Sequence, residues 1–153
     1  MWNQIRRFSA LERPAREVFL RASVLLPLIS ISLKFRGFRK TKASLDRSLS
    51  LPCGSQNPEA QARAVLTAQM VRAAGHYGIG QPNCLMVSLA LWWLLAGQGI
   101  ASDLRVGVRK DGEKFDAHAW VECGGVALNE PESRHQHFRA FDAALASLPP
   151  EPQ

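Results

Sequence analysis

The alternation of apolar and polar residues predicts two helices, then a short and very apolar third helix, then a run of strands. Apolar residues recur at helical spacing from about Leu11 to Leu33, with Ser9-Ala10-Leu11-Glu12 as a capping box at the start. Pro27 predicts a kink or a split there. Phe35–Arg47 is basic and loses the period, and Ser48–Pro58, rich in Ser, Pro and Gly, reads as a loop. Asn57 and Pro58 supply an N-cap and a first-turn proline for a second helix reaching about Ala74. Its apolar stripe is read as Ala62, Val65, Leu66, Met70 and Val71.

The third helix spans Gln81 to Leu95. Gly78, Gly80 and Pro82 break the chain before it, Asn83 is its N-cap, and Gly97 and Gly99 end it. Ala101–Lys110 alternates as a strand, and Asp111-Gly112 signals a turn into a second strand, Phe115–Glu122. On that strand Phe115, Ala117, Ala119 and Val121 point one way, and Asp116, His118, Trp120 and Glu122 the other. Cys123-Gly124-Gly125 turns the chain into Val126–Asn129, giving a small antiparallel meander. Pro131–His137 reads as irregular and Phe138–Leu148 as a last short helix.

The candidate chemistry lies between the third helix and the second strand. Cys84 falls in the first turn of its helix, where unpaired N–H groups and the helix dipole favour a thiolate. His118 sits on a polar strand face between two alanines, so a base on a rigid element can meet an activated sulfur. Trp120, two residues along the same face, is either a wall of the site or a core aromatic. The group that orients His118 depends on the next hairpin. A three-residue loop, Cys123-Gly124-Gly125, pairs His118 with Glu130; a two-residue loop, Gly124-Gly125, pairs Trp120 with Asn129 and sets Asn129 diagonal to His118. Either acceptor could hold the ring. The Cys84 N–H is the expected oxyanion donor, with Gln81 as a side-chain supplement. Asp116 is expected to be solvated, His76 to lie on the surface, and Cys53 and Cys123 to be bystanders. A metal site of Cys84, His118 and Cys123 would lack a fourth ligand, and no cofactor is expected.

Composition narrows the class. The 153 residues, 46% hydrophobic and 21% charged, suit one modest folded domain. Residues 1–50 form a basic helical region of that domain, and 51–153 its core. Three cysteines without a CxxC motif argue against a disulfide framework and for a reducing cytoplasm. No signal peptide is evident. Of the net +6, residues 1–47 carry 11 Lys/Arg against 3 Asp/Glu, while the rest carries 8 against 10. The cations are interleaved with apolar residues and no recognition motif accompanies them, which argues against nucleic acid. Ala22–Leu33 is too short and interrupted for a membrane span. A helix packed on the core is the favoured reading, ahead of a peripheral membrane contact or a docking surface for partner proteins.

The run Asn83-Cys84-Leu85 through Leu91-Trp92-Trp93-Leu94-Leu95, then Gly99-Ile100, Leu104–Lys110 and Ala117-His118-Ala119-Trp120-Val121-Glu122, resembles a known family. These are the transglutaminase-like cysteine proteases of lasso-peptide biosynthesis, the leader peptidases that form the C-terminal part of the microcin-type maturation protein. The likeness covers about residues 60–131 closely and the N-terminal helix more loosely. It implies an α+β, papain/transglutaminase-like fold with the nucleophile helix packed on a small antiparallel sheet. It also implies Cys84 as nucleophile, His118 as base and Glu130, where relatives usually carry Asp, as the orienting acid. The implied partners are a precursor (leader) peptide, an ATP-dependent macrolactam synthetase and a leader-recognition domain, which the family carries either fused upstream or as a separate protein. The N-terminal 50 residues are too helical and too short for a fused copy, so a separate protein is expected. An acyltransferase or amidase, or a non-catalytic binding module of the same fold, are the alternatives.

Overall fold

A computed structural model describes residues 12–49, 57–78, 81–111, 114–129 and 139–140. Helix α1 is Arg13–Arg47, α2 is Pro58–Tyr77 and α3 is Cys84–Gly97. Strands β1 (Asp103–Asp111), β2 (Lys114–Cys123), β3 (Val126–Ala127) and β4 (Arg139–Ala140) form one antiparallel sheet in the order β3-β2-β1-β4. The α+β expectation holds.

The first helix departs from expectation. It runs on through the basic stretch, and its break is at Gly37, where φ is 72° and ψ 173°, with Pro27 inside the helix. Glycine takes that positive φ at little cost, so the chain re-enters the helix beyond it. Ser9 lies outside the described residues; the helix opens at Glu12, which makes no side-chain cap bond, with a proline in the first turn. Ser32 Oγ and Thr41 Oγ1, 2.8 Å apart, tie the two sides of the Gly37 break together.

The core gathers Ala22, Leu26 and Ile29 of α1, Ala60, Ala64, Ala68, Ala74 and Val71 of α2, Leu89–Leu91, Leu94 and Leu95 of α3, and Val121 and Cys123 of β2. The buried stripe of α2 is Ala60, Ala64, Thr67, Ala68, Val71 and Ala74; Ala62 and Val65 of the expected stripe are exposed. Small side chains let α2 approach α1 and α3 closely, so bulk was a poor guide to which face is inside. Asn57 caps α2 as expected, accepting from the Ala60 N–H at 2.7 Å. Arg139 and Ala140 pair with Val108 and Gly107 as β4, where a final helix was expected; the outer edge of β1 offers unpaired backbone groups that this segment takes up. The remainder of that expected helix lies outside the described residues.

Candidate active site

Asn83 starts α3 by accepting from the Met86 N–H at 3.0 Å, while its carbonyl takes the Val87 N–H at 3.1 Å. Cys84 is therefore the first helical residue, and it is half-buried. The amides of Cys84 and Leu85 precede the first intrahelical bond, so they are the donors that the helix itself cannot satisfy. The helix ends in a Schellman arrangement: Ile100 N–H reaches Leu95 O and Gly99 N–H reaches Ala96 O, both at 3.0 Å, with Gly99 at φ 70°. Both expected boundary signals are realised.

One turn beyond Cys84, fully buried Ser88 fastens this helix to the sheet. Its Oγ donates to the Ala119 carbonyl at 2.9 Å, beside His118. Residues i and i+4 share a helix face, so Cys84 lies one turn before Ser88 on the side of α3 from which Ser88 reaches β2 at Ala119. The same oxygen accepts from Asn129 Nδ2 at 2.9 Å, and Asn129 Oδ1 accepts from the Val121 N–H at 2.9 Å.

The hairpin resolves the register. Cys123 pairs with Val126 and Glu122 with Ala127, so Gly124 and Gly125 alone form the loop, at φ 60° and 81°. Two consecutive positive φ angles define a type I′ turn, whose twist suits the strands and which Gly-Gly accepts freely. The three-residue loop, and with it a direct His118–Glu130 pair by register, is excluded; Glu130 itself lies outside the described residues. Asn129 leaves the ladder after Leu128 N–H bonds Val121 O at 2.9 Å. Its amide oxygen bonds the Val121 N–H and its Nδ2 bonds Ser88, so Asn129 joins helix to strand.

His118 is half-buried, with its Nε2 atom buried. Opposite it on β1 stands buried Gly107, which puts no side chain beside the ring. Trp120 is buried and lies nearly parallel to the imidazole, with centroids 6.2 Å apart and an interplanar angle of 17°. Its indole N–H donates to Glu122 Oε1 at 2.8 Å, and Glu122 Oε2 accepts from Arg105 Nε at 3.2 Å. Trp120 thus walls the histidine as well as filling the interior. Ser88, Glu122 and Arg105 were missed as contributors. Glu122 and Trp120 were legible as sharing a face with His118, but a serine within an apolar helix carries no local signal.

Gln81 lines a cavity of about 260 Å³ between α1, α2 and the lead-in to α3, together with Leu26, Gly75, Pro82 and Met86. Asp116 and His76 are exposed, as expected. Cys123 is buried, its Sγ 3.5 Å from Gln61 Oε1; burial, and secondarily the Asp103 charge, push its thiol pKa up. That leaves it protonated and a poor nucleophile. Among the described residues no cluster of three His, Cys, Asp or Glu could hold a metal ion.

A family profile described as the transglutaminase-like superfamily matches residues 25–141. The chain belongs to the transglutaminase-like superfamily. This transglutaminase-like chain is also 38% identical over 55 residues to the microcin J25-processing protein McjB of Escherichia coli. That stretch covers 36% of the chain and 26% of McjB, so the chain spans about a quarter of that relative's length. No solved structure matches.

Proposed function

We propose that this transglutaminase-like chain is a cysteine peptidase that removes the leader from a lasso-peptide precursor. The observation that supports the reading is the Ser88 link, which joins the helix begun by Cys84 to the strand that carries His118, at the Ala119 carbonyl. Similarity to a protein named for microcin J25 processing supports the substrate class.

In this reading Cys84 Sγ attacks the carbonyl carbon at the leader–core junction. The proton from sulfur passes to the His118 imidazole. The tetrahedral oxyanion is met by the Cys84 and Leu85 amides, with Gln81 as the side-chain supplement. Collapse breaks the C–N bond, and His118 returns its proton to the departing core amine. Water, deprotonated by His118, then hydrolyses the thioester, freeing the leader acid and the thiol. Glu130 steadies the ring, as the resemblance implies. The freed amine goes to a macrolactam synthetase, and a separate leader-recognition protein presents the precursor. A reducing cytoplasm keeps Cys84 as a thiol.

The test is incubation of the chain with precursor and leader-recognition protein, read by mass spectrometry. Cleavage at one junction is expected, with none from Cys84→Ala or His118→Ala at unchanged circular dichroism. Undiminished cleavage by Cys84→Ala would sink the reading. An amine-adducted product without leader release would reassign it to acyl transfer.

A further inference from the structure

Helix α1 is apolar on two opposite sides. Ala15, Ala22, Leu26 and Ile29 are buried, and the last three belong to the core. On the other side Leu20, Val24, Leu28, Ile31 and Phe35 are between 52% and 77% exposed. Their spacing of four, four, three and four residues gathers them within an arc of about 80°, in a line about 22 Å long. A helix apolar on both sides ordinarily has both covered. By length and composition α1 would even suit a membrane span, but its buried face already belongs to the domain core.

The charges around this line indicate what covers it. The helix holds nine Lys/Arg against two acids, a net +7. Both acids are engaged within the helix, Glu17 with Arg21 at 2.6 Å and Asp46 with Lys42 at 2.9 Å. Arg13 and Arg16 before the line, and Lys34, Arg36, Arg39 and Lys40 at and beyond its end, are exposed. A second copy docked on this face would set +7 against +7. A folded acidic partner would need carboxylates matched to cations about 35 Å apart between Arg13 and Arg36. A plane of anionic headgroups over acyl chains meets both requirements without any register: its charge is continuous, and its apolar layer lies just beneath.

We propose that the exposed face of α1 is a peripheral membrane-binding surface for anionic lipid, with Leu20, Val24, Leu28, Ile31 and Phe35 entering the acyl boundary and the flanking cations holding headgroups. This is independent of the peptidase reading. The test is flotation of the 153-residue protein with vesicles of phosphatidylcholine containing about 30% phosphatidylglycerol, which supplies a negative surface potential, against phosphatidylcholine alone. Binding is expected only to the anionic vesicles and should weaken as salt rises. The double variant V24Q/L28Q, both sites exposed, should keep the wild-type circular dichroism and melting temperature and lose more than about tenfold in binding. K34Q/R36Q should lose about fivefold per charge removed. Failure of the wild type to float at low salt, or wild-type flotation by V24Q/L28Q, would overturn the proposal. So would a dimer, or a complex with the leader-recognition protein, that V24Q/L28Q breaks while wild type ignores vesicles.

Discussion

Ser88→Ala is the perturbation that most directly tests how the helix of Cys84 is held to the strand of His118. Ser88 Oγ makes two buried hydrogen bonds of 2.9 Å, one to the Ala119 carbonyl and one from Asn129 Nδ2. Truncation leaves a carbonyl and an amide N–H without a partner where water does not reach. A buried polar group left unpaired costs about 1–3 kcal/mol, so the pair amounts to roughly 2–6 kcal/mol. At about 2–4 °C per kcal/mol for a domain of this size, that lowers Tm by roughly 4–24 °C. Asn129→Ala removes the same Asn129–Ser88 bond and also orphans the Val121 N–H, so its cost is of similar size. Because one bond is shared, the double variant should cost about 1 kcal/mol less than the sum of the single ones. Urea unfolding of the four proteins measures this. Leader cleavage by Ser88→Ala should also slow, by up to about a hundredfold if the first turn of α3 shifts by about 1 Å. A Ser88→Ala cost below about 0.5 kcal/mol, or strict additivity in the double variant, would refute the idea of one bridge joining helix and strand.

Asn83→Ala removes the Met86 cap and should cost about 1 kcal/mol in urea unfolding, while slowing iodoacetamide alkylation of Cys84. Glu122→Gln loses the charged bond from Arg105 yet keeps an acceptor for the Trp120 indole; cleavage should fall less than with Trp120→Ala, which removes the wall beside His118, and equal losses would argue against a wall. At neutral pH, alkylation followed by peptide mapping should mark Cys84 long before buried Cys123. Since the folded-state pKa of Cys123 is raised, its contribution to stability is present below the unfolded thiol value of about 8.5 and is lost as pH rises above it. Urea midpoints should therefore fall from about pH 8.5 upward, and Cys123→Ala should flatten that slope. Gly99→Ala should cost about 1–2 kcal/mol from the positive φ alone, because nothing stands within 4 Å of the added methyl group.

What the sequence determined by itself was local. Asn83 before an apolar run places Cys84 at a helix start, Gly99 ends that helix, Asn57-Pro58 opens another, and period-two alternation puts His118, Trp120 and Glu122 on one strand face. Each is decided by groups within a few residues, through caps, turns and side-chain direction. Local chemistry did not say whether the Gly-Gly hairpin closes on two residues or three, since both are sterically open; pairing along the strands chose two, and that choice brought Asn129 to Ser88. Nor did it show that alanines would bury α2, that Arg139–Ala140 would take the edge of β1, or that Gly37, not Pro27, would break α1. Those outcomes turn on which surfaces and backbone groups find partners far along the chain, and only the assembled tertiary structure supplies them.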